Sequence, residues 1–305
     1  MIFRQKISTI KFEELKRWLT SKRRTGVKKA LVVGSGGLNG AYSAGAVAEL
    51  GRQLGPKYFD AVYASSVGVY AATFLVANQP DTYENTWRNL VDGKKLVNFG
   101  NVVHGRAILD LEYLAEIFQN EKSWLDTEAV FANQAPTYAV TEYPSGKTRY
   151  VRPDRLNIFH LMSASSAMPF VHWPVEINGK LYVDGGLADP LPVQRALADG
   201  FDRVVAVTNK QSGVYVGKFY GFSKIASSML PRHIAQLVKT YESRVRAAEE
   251  VISTDRRVIA IRPRRPLPLR HFIDTDKRRI NEAVQMGIDD ARAALQAIKN
   301  STAEA

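Results

Sequence analysis

The feature that most constrains the fold of this chain is a glycine-dense turn over residues 34–40 (GSGGLNG), which directly follows an apolar run at 30–33. A buried strand that ends in such a turn and continues into a helix is typical of α/β proteins. The arrangement recurs at once, because a second strand-like run at 60–64 leads into Ser65-Ser66-Val67-Gly68. Adjacent apolar strands joined by crossover helices predict a parallel sheet, with both turns at the carboxyl ends of its strands.

The rest of the sequence predicts one large α/β domain. Residues 81–130 have helical periodicity without strands, notably at 109–118, which predicts a helical cover over one face of the sheet. A hairpin turn is predicted at Pro144-Ser145-Gly146. We expect a three-layer α/β/α sandwich with a mainly parallel central sheet. Further strands are predicted at 137–142, 148–152, 181–183, 204–207 and 258–261, and further helices at 41–50, 67–77, 156–162, 193–197, 233–252 and 275–299.

Composition excludes several kinds of site. The chain has 305 residues and no cysteine, so disulfides, thiolate metal sites and cysteine nucleophiles are excluded. The histidines and acidic residues show no metal-ligand spacing, and we expect neither a metal nor another cofactor. No apolar run approaches the roughly 18 residues that a membrane span needs. Charges scattered through residues 1–26 are unlike the apolar stretch of a signal peptide, and we therefore expect a cytoplasmic protein.

The net charge is strongly positive, since 42 Lys and Arg residues outnumber 30 Asp and Glu residues to give +12. Such a surface favours anionic partners. Basic segments at 16–29 and 262–279 carry much of the excess, and apolar residues recur at helical spacing around the first of them. That pattern is typical of a helix at a membrane interface, although a helix packed on the domain with a solvated basic face fits equally well. No nucleic-acid recognition motif accompanies the charge, so we expect no specific nucleic-acid partner.

Ser66 is the candidate nucleophile. It lies in a sharp turn between a strand and a helix, and its neighbours Ala64 and Gly68 are small, as such a turn requires. A serine nucleophile also needs donors for the negative charge that forms on the attacked carbonyl oxygen. Main-chain N–H groups of the glycine turn could form this oxyanion hole, because residues without side chains allow close backbone approach. The candidate donors are Gly36, Gly37 and Leu38.

The base that takes the serine proton is expected to be a carboxylate. A conventional elbow hydrolase has an acid and then a histidine after its serine, and Asp184, followed by Gly185 and Gly186, is the candidate acid. Only His233 and His271 follow Asp184, in contexts typical of a helix surface and a basic loop. If Asp184 itself is the base, activity should rise with pH through an acidic limb, without an imidazole-like step.

These motifs together resemble the patatin-like phospholipases. The resemblance extends over residues 30–207 and includes the glycine turn, the serine elbow, the segment 162–169 (MSASSAMP) and the segment 184–193 (DGGLADPLPV). It implies a lipid acyl hydrolase with a Ser/Asp dyad and no histidine, in which Ser66 accepts the acyl group, Asp184 is the general base and the glycine turn is the oxyanion hole. Residues that support these motifs are Gly34, Gly40, Ala64, Gly68, Gly185 and Gly186.

The chain departs from the family pattern at three positions. Ala64 stands at the first glycine of the elbow, Ser35 at the first glycine of the glycine-rich turn, and Asn39 at a position that usually carries Arg or Lys. The missing cation would help to fix the loop or attract a headgroup. These departures keep open an alternative function, namely a non-catalytic lipid-binding or regulatory protein that retains the fold.

A dinucleotide-binding site is a second alternative. A Gly-x-Gly turn after a first apolar strand is typical of such sites, which also need an acid at the end of the second strand to hold the ribose. Here Asp60 lies at the start of that strand, and the strand ends in Ala64-Ser65-Ser66 instead.

The sequence predicts three parts. Residues 1–28 are expected to form a basic amphipathic N-terminal extension, 29–262 the patatin-like hydrolase domain, and 263–305 a Pro/Arg-rich linker and a C-terminal helix packed on the same domain. The expected partners are a phospholipid or other acyl-ester lipid and an anionic membrane, with the protein held at the inner membrane surface by its basic terminal segments. The helical cover and the loop 170–173 are expected to form an apolar channel for the acyl chain. Three tryptophans are interpreted as packing residues: Trp87, Trp124 and Trp173.

Overall fold

The structure of the protein is a computed structural model that describes residues 26–91, 93–120, 122–213, 227–270 and 274–303, with side chains as far as residue 295. Most of the predicted N-terminal extension, and His271, lie outside these residues. Within the part of the chain that the structure describes, no helix is long and apolar enough to cross a membrane.

The strands of the described residues form a single mixed sheet. They are β1 (Lys29–Val33), β2 (Ala61–Ser65), β3 (Thr137–Tyr143), β4 (Thr148–Val151), β5 (Val175–Ile177), β6 (Lys180–Asp184), β7 (Arg203–Val207) and β8 (Val258–Ile261). The hydrogen-bonded order is β5-β6-β3-β2-β1-β7-β8, and β4 pairs with β3. Pairing is parallel from β3 through β2, β1 and β7 to β8, and antiparallel for β3 with β4, β3 with β6 and β5 with β6.

Helices connect and cover these strands. They are α1 (Gly40–Leu54), α2 (Gly68–Val76), α3 (Pro80–Asn85), α4 (Gly93–Leu96), α5 (Leu111–Phe118), α6 (Thr127–Asn133), α7 (Ile158–Ser166), α8 (Val193–Ala198), α9 (Arg232–Lys239), α10 (Tyr241–Thr254) and α11 (Lys277–Ala303). Short 3₁₀ helices occur at Gly37–Asn39, Phe99–His104, Gly185–Leu187 and Ser227–Met229, and a π-helical turn at Thr86–Leu90.

Alternate side chains of β1 enter two separate cores. Leu31 and Val33 are buried in a core that includes α1, α2 and α11, whereas Ala30 and Val32 are buried with residues of α8 and α10. Both sets are apolar because a parallel strand covered on both faces has no solvent-facing side. The prediction of a three-layer sandwich with a mainly parallel sheet is therefore confirmed.

Two glycines allow α1 and α11 to pack with their backbones in close contact. A Cβ atom added to Gly45 or to Gly287 would lie 2.0 Å from a backbone oxygen of the facing helix. The buried carboxylate of Glu49 on α1 also pairs with Arg292 on α11 at 3.2 Å. The C-terminal helix thus packs on the same core as the sheet, while the division of the chain at residues 28 and 262 stays a prediction.

The structure differs from the sequence-based expectations in three places. The helix predicted at 233–252 is interrupted at Thr240, whose φ of −103° and ψ of 13° lie outside the helical range, so that α9 and α10 are separate. The strand β5 was not predicted, because only three residues pair there. Trp87 is buried, but the packing interpretation is wrong for Trp124 and Trp173, which are 53% and 65% exposed.

Candidate active site

Ser66 occupies the turn between β2 and α2 with a left-handed backbone. Its φ of 56° is uncommon for a residue with a side chain, and such strain is concentrated at functional sites. Its N–H donates to Ser165 Oγ at 2.9 Å, and Ser165 Oγ donates to Ala139 O at 2.8 Å. Both bonds are buried, so Ser165 fixes the strained turn to β3. The sequence analysis did not identify this role of Ser165, because the turn that it contacts is 99 residues away.

Asp184 reaches Ser66 because two strands end against the same edge of β3. In β3, residues 138–141 pair with β4, residues 137–139 with β2 and residues 140–143 with β6. Because the residues paired with β4 overlap both other sets, β4 lies along one edge of β3, and β2 and β6 share the other edge. Ser65 is paired with Ala139, and Asp184 with the next residue, Val140. Since β2 is parallel and β6 antiparallel to β3, their carboxyl ends meet head to head. Ser66 Oγ donates to Asp184 Oδ2 at 2.7 Å.

The Asp184 carboxylate is buried, and only 6% of the residue is exposed. Its Oδ1 accepts a hydrogen bond from Gly186 N at 2.7 Å. Burial raises the pKa of Asp184 from its ordinary 3.8 to about 7, against the opposing effect of the hydrogen bonds from Ser66 and Gly186. Such a carboxylate is a stronger base than an ordinary aspartate. A pKa of about 7 would place the limb of the pH profile where imidazole also titrates, so the position of the limb alone does not distinguish the two kinds of base, and the expected profile stays a prediction.

The glycine turn presents unused main-chain donors beside Ser66. Within the described residues, the N–H groups of Gly36, Gly37 and Leu38 donate to no acceptor, whereas those of Ser35 and Asn39 donate to backbone oxygens. Gly37 has a φ of 55°, which glycine adopts without strain. Gly37 and Leu38 line the same pocket as Ser66. These free amides are what an oxyanion hole requires.

Asn209 fixes the glycine turn and was not found from the sequence. Its Nδ2 donates to Ser35 O at 2.9 Å, and the residue is 6% exposed. A Cβ atom added to Gly36 would lie 1.8 Å from that nitrogen, so a side chain at position 36 would displace the Asn209 amide. Asn209 follows β7, the parallel neighbour of β1. No local motif links it to a turn so distant in sequence.

The remaining motif glycines lie where the turns approach one another. Gly34 follows β1 and donates its N–H to Val207 O, and Gly40 begins α1. Gly68 begins α2, and a Cβ atom there would lie 2.6 Å from Val33 O. At Gly185 the same atom would lie 1.9 Å from Ala139 O. Close backbone contact therefore requires glycine at both of these positions.

An apolar pocket opens at Ser66 and Asp184. It contains about 730 Å³ of space between its walls, open solvent at its mouth included. Most of its wall comes from the helical cover between residues 83 and 118, and Met168 and Val171 complete it. The hydroxyl of Ser166, also in the wall, has no hydrogen-bond partner among the described residues. The cover and part of the loop after α7 thus form an apolar space, as expected.

Comparison with known proteins places this chain in a family. The family model described as patatin-like phospholipase matches residues 31–197, more than half of the chain. The chain belongs to the patatin-like phospholipase family. The uncharacterized protein YjjU of Escherichia coli (strain K12) is 26% identical over 251 residues, which cover 78% of this chain and 69% of YjjU. The crystal structure of VipD from Legionella pneumophila has a TM-score of 0.50 at 13% identity, covering 88% of this chain and 67% of VipD, and shows the shared fold.

The structure accommodates the three departures from the patatin-like pattern. Ala64 is fully buried within β2, so its methyl group is accommodated in the core. Ser35 packs against Gly186, where a Cβ atom would lie 2.7 Å from the Ser35 Cβ. Asn39 precedes α1 and makes no side-chain capping hydrogen bond. Asn39 therefore supplies no cation at this turn, and its effect on activity stays untested.

The alternatives find less support in the structure. Asp60 precedes β2 and accepts a hydrogen bond from Lys29 N, at the start of β1, at 2.7 Å. Asp60 therefore lies at the opposite end of the sheet from the glycine turn, which argues against a dinucleotide site. His233 is exposed on α9 and outside the pocket wall. Among the described residues, no group of three or more His, Asp or Glu could hold a metal ion.

Proposed function

We propose that this protein is a lipid acyl hydrolase that uses Ser66 and Asp184 as a catalytic dyad. Membership of the patatin-like phospholipase family supports lipid hydrolysis in general. The observation that carries the proposal is the 2.7 Å hydrogen bond from Ser66 Oγ to a buried carboxylate at the end of an apolar pocket.

In the proposed mechanism, Asp184 accepts the Ser66 proton while Oγ attacks the ester carbonyl carbon. The resulting oxyanion accepts hydrogen bonds from the free amides of Gly36, Gly37 and Leu38. Collapse of the tetrahedral intermediate breaks the ester bond, and the leaving alcohol takes the proton from Asp184. A water molecule, deprotonated by Asp184, then attacks the acyl-Ser66 ester. Collapse of the second tetrahedral intermediate releases the fatty acid, and the proton on Asp184 returns to Ser66 Oγ.

The proposed substrate is a phospholipid or another acyl-ester lipid whose chain lies in the apolar pocket. The formal net charge of +12 supports contact with an anionic membrane. We place the protein in the cytoplasm, peripheral at the inner membrane surface, with the hydrolase domain over residues 29–262 and basic segments on either side of it.

A fluorophosphonate probe and a p-nitrophenyl acyl ester test the proposal. We expect the probe to label Ser66, and Ser66→Ala to abolish both labelling and hydrolysis. Ser43→Ala is the matched control, because it removes another buried hydroxyl, on α1, that has no partner among the described residues. A label on a different serine would contradict the proposed nucleophile. Lipid binding without labelling or hydrolysis would favour the non-catalytic alternative.

Lipid profiling then addresses the substrate. The native protein is incubated with a lipid extract beside Ser66→Ala and Asp184→Asn, and the released fatty acids and lysolipids are identified by mass spectrometry. Products that form equally with all three proteins would argue against the dyad.

A further inference from the structure

A segment that contributes to the pocket wall continues into an exposed apolar surface. Val97 and Leu109 form an antiparallel bridge, and Asn98 N donates to Ile108 O at 2.8 Å. Val97, Ile108 and Leu109 line the pocket. The chain between them forms the 3₁₀ helix Phe99–His104, which has no buried residue. We call residues 99–104 the tip.

The tip exposes large apolar side chains. Phe99 is 62% exposed, Val102 57% and Val103 85%. Trp173, 65% exposed, lies on the neighbouring loop, which is joined to the base of the tip because Leu109 N donates to Val171 O at 2.8 Å. Grouped exposed apolar residues next to a binding pocket mark an interaction surface.

The charges around the tip indicate what covers it. In the sequence, the exposed residues Lys94, Lys95 and Arg106 flank the tip, and residues 93–109 contain no acidic residue. One exposed acid, Glu112, lies 4.0 Å from His172, the residue before Trp173. Apolar side chains between cations fit an interface where an acyl region lies beneath anionic phosphates. Tryptophan is also enriched at the interface between the hydrocarbon core of a bilayer and water.

We propose that the tip and Trp173 form the surface that enters the phospholipid interface. This inference rests on the proposed function, because a lipid acyl chain then passes from the bilayer along Val97 and Ile108 into the pocket. The attachment differs from attraction by the basic terminal segments, since buried apolar area is insensitive to salt while surface charge attraction is screened.

The absence of cysteine from the chain permits a direct test. The V103C variant carries a single thiol, labelled with a polarity-sensitive nitrobenzoxadiazole group, and is mixed with phosphatidylcholine vesicles containing phosphatidylglycerol. We expect a several-fold rise and a blue shift of the emission, retained at high salt. The matched control is L156C, because Leu156 is 93% exposed and lies before α7, whose opposite end reaches the pocket at Ser166. Its emission should not change.

A second variant measures affinity. We expect F99S/V102S/V103S to bind the same vesicles at least about tenfold more weakly, because three apolar side chains no longer enter the bilayer. Its thermal unfolding is compared with that of the wild type, so that a loss of folding is recognised.

The outcomes separate this inference from the proposed function. Unchanged emission at position 103, in a protein whose native form hydrolyses a soluble short-chain ester, would overturn the membrane surface alone. Insertion at position 103 by a protein without ester hydrolysis would support the surface and refute the proposed function. A concentration-dependent change at position 103 without vesicles would show that a second copy of the chain covers the tip, and would also overturn the inference.

Discussion

Replacing Asp184 by Asn should stabilise the protein at neutral and alkaline pH, although it removes the proposed base. The side-chain shape is retained, and both hydrogen bonds of the site can persist. The Asn amide group can donate to Ser66 Oγ, and its oxygen can accept from Gly186 N, as the carboxylate does now at 2.7 Å. What the substitution removes is a buried negative charge.

The magnitude follows from linkage. The pKa of Asp184 rises from 3.8 to about 7 on folding, so the folded state holds this proton more tightly than the unfolded state. The stability that this proton contributes is fully present below about pH 4 and is lost as the pH rises through about 7. A shift of about 3 units at about 1.36 kcal/mol per unit is a loss of about 4 kcal/mol. Asp184→Asn does not undergo this loss.

Urea unfolding at pH 4.5, 6, 7 and 8.5 measures the effect. The free energy of unfolding of Asp184→Asn minus that of the wild type should increase by a few kcal/mol across this range. Glu176→Gln is the matched control, because it removes an exposed carboxylate from β5, the neighbour of β6. No comparable increase is expected for it. A difference for Asp184→Asn that stays constant with pH would refute the claim that burial of the charge raises the pKa of Asp184.

Three further predictions address the base, the oxyanion turn and the helix contact. The kcat/KM of the wild type should rise with pH through about 7, because Asp184 must be ionised to accept a proton. The His233→Gln variant should show the same rise. Loss of the rise in that variant would contradict a carboxylate base. Asn209→Ala should lower kcat about tenfold or more with little change in KM, since the glycine turn loses its hydrogen bond from the Asn209 side chain. Stopped-flow or steady-state kinetics on a soluble ester measure this. An unchanged kcat would argue against a role of Asn209 in positioning the turn. Gly287→Ala should cost about 1–3 kcal/mol of unfolding free energy because its methyl group meets a backbone oxygen at 2.0 Å. The control Gly51→Ala, where the nearest contacts are side chains at 3.2 Å, should cost much less in the same denaturation assay.

The strands and most helices could be predicted because their signals are local. The apolar run at 30–33 and the following glycine turn require only neighbouring residues to define a strand that ends at a helix, and β1 and α1 are found there. Thr240 shows the limit of this reasoning. Helical periodicity continues across it, but its backbone angles, φ −103° and ψ 13°, leave the helical range and separate α9 from α10.

Surface and interior positions of single aromatic residues were less predictable. Trp87 and Trp173 are the same residue type, yet Trp87 is buried in the helical cover and Trp173 is 65% exposed. Burial depends on which element lies opposite, and a single sequence carries no such information for an irregular loop. The role of Asn209 was hidden for the same reason, since the Ser35 carbonyl that it binds is 174 residues away in the chain.

By itself, the sequence determined the chemistry that is available: a serine at a sharp turn, an aspartate before two glycines, a glycine-rich turn, and a family in which these occur together. The tertiary structure decided how these groups combine. The pairing of β2 and β6 along one edge of β3 brings Ser66 within 2.7 Å of Asp184, and the surrounding core raises the pKa of that carboxyl. Strand register and burial depend on contacts between residues far apart in the chain, whereas turn and strand propensities depend on neighbours.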